Sequence, residues 1–194
     1  NPLQPIHVFG ARYSFFSTPY DYAAAGVSID TIFGTLNTGT SASPSPGSNR
    51  SHLFVWSSPL LQYVLDPTPP ADGIHLGQGY WVYLQKPAEV TVAGNLPTTT
   101  TIPIGLKLGW NMIGVPSLTP ISVSRLSFGN PAGGGTISFA DASSSSYHLV
   151  SPTLYGYNGT NYVSLTSGGS LQPWQAYWIY AFADTTILLP TGGG

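Results

Sequence analysis

A chain that carries the same segment twice is constrained to build the same local structure twice, and this chain does so at a fixed offset. Ile74-His-Leu-Gly-Gln-Gly-Tyr-Trp-Val-Tyr83 returns as Leu171-Gln-Pro-Trp-Gln-Ala-Tyr-Trp-Ile-Tyr180, 97 residues later. The offset holds without a gap through Val90-Thr-Val92 and Ile187-Leu-Leu189, and it pairs Tyr13-Ser-Phe-Phe-Ser-Thr-Pro19 with Trp110-Asn-Met-Ile-Gly-Val-Pro116. With small gaps, Leu53-Phe-Val-Trp56 matches Leu154-Tyr-Gly-Tyr157, and Tyr63-Val64 matches Tyr162-Val163. Aligned aromatics and prolines at one offset are hard to obtain by accident. The reading is a first repeat over residues 1–96 and a second over 97–194, ending in a glycine linker. The join near Gly94 to Thr101 is short, so the repeats are expected to pack as one rigid unit with an approximate two-fold.

Each repeat reads as short strands separated by turn chemistry, which predicts an all-β fold, sandwich- or barrel-like. Asn158-Gly159 lies between two apolar runs and signals a hairpin. Ser57-Ser58-Pro59 answers it in the first repeat with a less regular connection. Gly79 to Leu84 and Ala176 to Ala181 are apolar at nearly every position, as expected for strands buried on both sides. No window makes a convincing helix, although single helical turns fit within Tyr22 to Ile32 and at Ile121 to Phe128. The segments Thr38 to Ser51 and Asn130 to Ser146, rich in Gly, Ser, Ala and Pro, read as loops projecting from corresponding points of the two repeats.

Charge narrows the classes of partner. Charged residues are 6% of the chain, against roughly 25% in an ordinary soluble domain, and the formal net charge is -2. No basic patch is present to neutralise phosphates, which argues against nucleic acid. No apolar run of 18 residues argues for a membrane-inserted helix. Cysteine is absent, and His7, His52, His75 and His148 are scattered without metal-ligand spacing, so no cofactor or metal is expected. The acids Asp21, Asp30, Asp66, Asp72, Asp141, Asp184 and Glu89 do not recur between repeats, and Asp66 and Asp72 bracket a proline-rich turn. With no Gly-x-Ser-x-Gly elbow either, the chain reads as non-catalytic. A surface wetted by Ser, Thr, Asn and Gln suits polar uncharged partners, above all sugars, and equally suits packing against copies of itself. Little Lys or Glu, with abundant Tyr, Thr, Ser, Gly and Asn, points to an extracellular or cell-surface protein.

The aromatics are the candidates for binding, because a Trp or Tyr face buries the apolar C–H face of a sugar ring. Those kept in both repeats, Tyr80/Tyr177, Trp81/Trp178, Tyr83/Tyr180, Trp56/Tyr157 and Tyr13/Trp110, are assigned to core packing. Those present once are freer to serve a ligand. Trp174 stands where the first repeat has Gly77, in a turn that suggests an exposed ring beside Gln172 and Gln175. That indole reads either as a sugar platform or as a lid packed between the repeats. Tyr20 and Tyr22 follow Pro19, and Tyr147 ends the serine-rich loop; both places are further ligand-binding candidates.

Leu108-Gly-Trp-Asn-Met-Ile-Gly-Val-Pro116, Leu154-Tyr-Gly-Tyr-Asn-Gly159, Leu171 to Tyr180 and a closing Ile187-Leu-Leu189 together resemble a known module. It recurs, often in tandem, in secreted bacterial and archaeal surface proteins and extracellular enzymes, with a "GWNLI-x-x-P … YDG … GYWVY" signature. The resemblance spans nearly the whole chain, once per repeat. Ala11-Arg12-Tyr13 departs from it where Gly-Trp-Asn is expected. It implies a non-catalytic β-module attached to a larger secreted or surface protein, and it supplies no ligand. Two functions follow as expectations: binding of a polysaccharide or surface glycan, or self-association as a structural surface, fibre or adhesin module.

Overall fold

The computed structural model describes residues 5–34, 52–66 and 68–192. Expectations for Thr38 to Ser51 fall outside these residues, as does most of the terminal glycine run. The fold is all-β and antiparallel. The strands are β1 (His7–Phe9), β2 (Arg12–Phe16), β3 (His52–Ser57), β4 (Gln62–Leu65), β5 (Tyr80–Leu84), β6 (Ala88–Val90), β7 (Thr101–Leu106) and β8 (Gly109–Ile113). They continue as β9 (Ile121–Ser122), β10 (Ser127–Gly129), β11 (Thr136–Ser138), β12 (Val150–Tyr157), β13 (Tyr162–Leu165), β14 (Ser170–Leu171), β15 (Tyr177–Ala181) and β16 (Thr185–Pro190). Two short helices, α1 (Ile29–Phe33) and α2 (Phe139–Ala142), and a 3-10 turn at Val123–Arg125 complete it.

Two four-stranded sheets dominate, ordered β2-β5-β3-β4 and β8-β15-β12-β13. The segments joined by the sequence offset occupy the same places in the two sheets. Phe15 opposes Trp81 in the first and Met112 opposes Trp178 in the second. Likewise His7 pairs with Val90 on β1-β6, and Ile104 with Ile187 on β7-β16. In the second half β10 and β11 extend this last pair to four strands, ordered β11-β10-β16-β7.

Strand alternation directs one face of each sheet inward. Leu53, Val55, Tyr80, Val82 and Leu84 join Phe9, Phe16, Ile32 and Phe33 in one core; Ile113, Leu154, Tyr177 and Ile179 join Phe128, Phe139, Ile187 and Leu189 in another. Both expected helical turns form: Ser28 accepts from Thr31 N at the start of α1, whereas Ser122 precedes the 3-10 turn at Val123–Arg125 without a side-chain capping bond. The serine-rich segment 130–146 is more ordered than a projecting loop. Ser138 caps α2, whose Phe139 and Ala142 are buried, and β11 pairs with β10. Apolar side chains spaced to reach the core outweigh the loop-like composition around them. The Asn158-Gly159 hairpin forms as expected, with Gly159 at φ +95 and the Asn158 carboxamide oxygen accepting from Thr160 N and Asn161 N.

The halves exchange backbone hydrogen bonds reciprocally. Gly114 N donates to Gly77 O at 2.7 Å and Gly79 N to Met112 O at 3.4 Å. Across from them, Ser17 N donates to Trp174 O at 3.2 Å and Ala176 N to Phe15 O at 3.3 Å. Space at this crossing is tight. A Cβ on Gly114 would lie 2.7 Å from Ser17 Cβ, and one on Gly79 would lie 2.9 Å from Ala176 Cβ. The buried Ser17 hydroxyl donates to Gln175 O at 2.6 Å and accepts from Val115 N at 2.9 Å.

Candidate functional site

With one face of each large sheet committed to a core, period-two alternation places the remaining aromatics on the opposite face. Tyr13, Phe54, Trp56, Trp81 and Tyr83 share that face of the first sheet; Trp110, Tyr155, Tyr157, Trp178 and Tyr180 share it in the second. Strand register brings them together across each sheet: Trp56 opposes Tyr63, Phe54 opposes Trp81, Tyr155 opposes Trp178 and Tyr157 opposes Tyr162. Cross-strand aromatic pairs stabilise a sheet by about 0.2–1 kcal/mol each, so these stripes support the strands that carry them.

The two aromatic faces turn toward each other. Phe15 lies between two indoles, stacked on Trp81 at 4.8 Å and on Trp178 at 5.6 Å. Met112 fills the matching place from the other half, with its sulfur accepting from Trp56 N at 3.1 Å. Ser58 Oγ donates to Trp110 O, tying the turn after β3 to β8. On either side of this seam the rings line two cavities. One, of about 470 Å³, is lined by Trp56, Tyr63, Trp110, Tyr155, Tyr162 and Trp178. The other, of about 450 Å³, is lined by Tyr13, Phe54, Tyr63, Trp81, Tyr157 and Tyr162.

The sequence offset maps one lining onto the other. Trp110 answers Tyr13, Tyr155 answers Phe54, Trp178 answers Trp81, and Trp56 answers Tyr157 from across the seam. Tyr63 and Tyr162 answer each other and border both cavities. Ring geometry repeats as well. Trp110 and Trp178 are 6.3 Å apart at 81°, and Tyr13 and Trp81 are 6.4 Å apart at 84°. Trp56 and Tyr63 are 5.3 Å apart at 73°, and Tyr157 and Tyr162 are 5.6 Å apart at 62°.

No charged side chain is among the residues lining either cavity. Burial pushes the Tyr63 phenol above its usual range, the Tyr162 phenol adds to this, and a hydrogen bond with Trp81 works against it. The linings therefore offer ring faces, phenol hydroxyls and indole N–H groups, all uncharged at neutral pH. The Trp56 indole N–H is buried without an acceptor.

The residues proposed from sequence lie elsewhere. Trp174 is 9% exposed, which corrects the expectation of an open platform. Its ring stacks on His7 at 4.5 Å and 2°, and it packs with Phe9 and Tyr20 in the first half's core. The reason is positional: Trp174 holds a left-handed φ of +66, as Gly77 does at +79, and this aims the indole across the crossing. The lid reading of this residue is the one that fits. Tyr20 and Tyr22 are also buried, and the Tyr22 hydroxyl donates to Val92 O at 2.7 Å, so both serve packing instead of a ligand. Gln172 and Gln175 are exposed, but Gln175 Oε1 accepts from Tyr177 OH at 3.0 Å and no open ring stands beside them. Tyr147 remains exposed and lines neither aromatic cavity.

The assignment of every repeated aromatic to the core is corrected too. Tyr80 and Tyr177 are buried as expected, but Tyr13 is 57% and Trp110 40% exposed. β5 alternates buried and half-buried residues instead of being covered on both faces. The missed signal was local: Phe54 and Trp56 alternate with Leu53 and Val55, and only one of those faces can meet the core. Asp72 pairs with His75 three residues on at 3.3 Å, within a turn, whereas Asp66 Oδ1 accepts from Leu53 N on the neighbouring strand β3. Among the described residues no group of three or more His, Asp or Glu could hold a metal, and no helix is long and apolar enough to cross a membrane. No family model matches the chain, and no curated protein or solved structure is significantly similar to it.

Proposed function

We propose that the chain is a non-catalytic binding module of a larger extracellular or cell-surface protein, and that it holds carbohydrate in the paired aromatic cavities. The observation that carries this reading is the lining: two adjacent clefts walled by aromatic rings, with phenol and indole groups at their edges and no charge. Sugar rings have apolar C–H faces rimmed by hydroxyls, and such walls can stack the face while their edges bond the rim. The low charge of the whole surface agrees with a neutral ligand.

We further propose that residues 1–96 and 97–194 are duplicated units related by an approximate two-fold, packed as a sandwich through their aromatic faces. Equal strand order, equal register and reciprocal crossing bonds support this. Under the proposal the clefts are equivalent places in two copies of one repeat.

The test is retention on insoluble cellulose, chitin, xylan and mannan, comparing the protein with Trp110→Ala. Trp110 is partly exposed, so its loss leaves the cores intact. Retention on at least one polymer, lost in the variant, is the expected result. Absence of retention on all four would overturn the reading. The self-assembly alternative draws on Leu60 and Leu61, 61% and 73% exposed, and on the edge strands β4 and β13. Concentration-dependent oligomers by light scattering, with no retention on any polymer, would favour it.

A further inference from the structure

We infer that the two cavities are subsites of one site, which takes a single extended glycan chain and does not read the chain's direction. This rests on the carbohydrate reading above and deepens it. Three observations lead here. First, Tyr63 and Tyr162 belong to both linings, so the clefts adjoin at these two phenol rings. Second, Phe15 separates Trp81 from Trp178 by one ring on each side, which keeps the two indoles within about 10 Å of each other. That is the scale of a short run of linked sugars, and too close for two polymer chains to ignore each other.

Third, the linings correspond by exchange of the halves. A chain running from the second cleft to the first meets the rings of Tyr13, Trp81 and Tyr157 and then those of Trp110, Trp178 and Trp56. A chain running the other way meets the corresponding set of positions first, with the copies swapped. Discrimination of direction requires hydrogen-bonding groups placed asymmetrically around the ring oxygen and hydroxyls. The linings hold no Asp, Glu, Asn, Gln, Arg or Lys, and apart from the Tyr155/Phe54 pair every ring with a hydroxyl or N–H in one lining is answered by such a ring in the other. Stacking on ring faces is the main interaction left, and it is the same for either polarity.

The subsites differ in strength. Trp56, Trp110 and Trp178 wall the first cavity, whereas Trp81 is the single indole of the second. The larger ring surface makes the first the anchor and the second the extension. A chain too short to reach both is held by the anchor alone.

The experiment is isothermal titration of the full chain with soluble cello-, chito-, xylo- and manno-oligosaccharides of two to six residues. It includes Trp110→Ala in the anchor and Trp81→Phe in the extension. For whichever series binds, affinity is expected to rise at least about tenfold from disaccharide to hexasaccharide, with one hexasaccharide per protein. Trp81→Phe should flatten this length dependence by weakening the longest oligosaccharides most; Trp110→Ala should weaken binding at every length. A hexasaccharide spin-labelled at its reducing end should broaden resonances of Tyr13 and of Trp110 in the same sample. Equal affinity for all lengths, or two hexasaccharides per protein, would overturn the single-site inference while leaving carbohydrate binding intact. Broadening at one cleft alone would overturn the indifference to direction. Binding of no oligosaccharide in any series would sink both the inference and the reading beneath it.

Discussion

The two crossings between the halves share a backbone and fill it in opposite ways. At one, Gly77 brings no side chain and Ile104 reaches over it; a Cβ on Gly77 would meet Ile104 Cδ1 at 2.7 Å. At the other, Trp174 stands at the glycine's place and His7 at the isoleucine's, and the two rings lie flat on each other. Both positions need a left-handed backbone, which is free for glycine and costs tryptophan about 1–2 kcal/mol. Burying an indole returns about 3–5 kcal/mol, so the strain is outweighed. A turn that is neutral for one half has become, in the other, a plug that anchors it to its neighbour's core.

Four changes would break or sharpen this contrast, the largest first. Gly77→Trp has no room under Ile104 and is expected to abolish cooperative folding, seen as loss of the near-ultraviolet circular dichroism signal. Trp174→Ala should cost about 3–5 kcal/mol in urea unfolding, by opening a cavity while keeping a side chain at positive φ. Trp174→Gly should be less damaging than Trp174→Ala by about 1 kcal/mol, because the smaller residue relieves the backbone. The reverse order would mean that backbone strain at 174 is negligible.

The smallest effect is that of pH. Burial holds His7 below its ordinary value of 6.5, so the folded state favours the neutral ring. The unfolded chain then binds the proton first, and stability is lost as pH falls from 6.5 through the depressed value. His7→Ile, which copies the residue at the matching place, should lose less stability than the wild type between pH 7 and pH 5. Equal losses, read as melting temperatures, would show that His7 contributes nothing to the acid sensitivity.

How much of this could be read beforehand depended on which level of pattern carried it. The strands, the Asn158-Gly159 hairpin and the all-β class follow from turn residues and β-prone runs, which act locally. Which face of a strand points inward does not, because β5 and β15 carry large apolar residues on both faces. Tyr80 and Trp81 are adjacent and similar in hydrophobicity, yet Tyr80 is fully buried and Trp81 is not. β3 held the answer, since Leu53 and Val55 are a purely aliphatic face and mark the core side. The choice between the two readings of Trp174 is hidden for a different reason. Its environment is made by His7, Phe9 and Tyr20, more than 150 residues earlier, and no local window contains that information. The substitution of a tryptophan for a glycine was visible in the sequence; the backbone angle that decides where the ring goes was not.

The tight crossing has a further consequence, for recognition between the halves themselves. Ser17 sits against Gly114, and Ala176 against Gly79, so each half is bulky where the other is bare. Two first halves brought together by the proposed two-fold would set serine against serine. Two second halves would set alanine against alanine at the same short separation. Each half thus rejects its own kind at one position and accepts its counterpart at both. Cut at the short join between them and produced separately, the halves should find each other and not themselves. Where the two backbones are alike, two small side chains make the halves complementary.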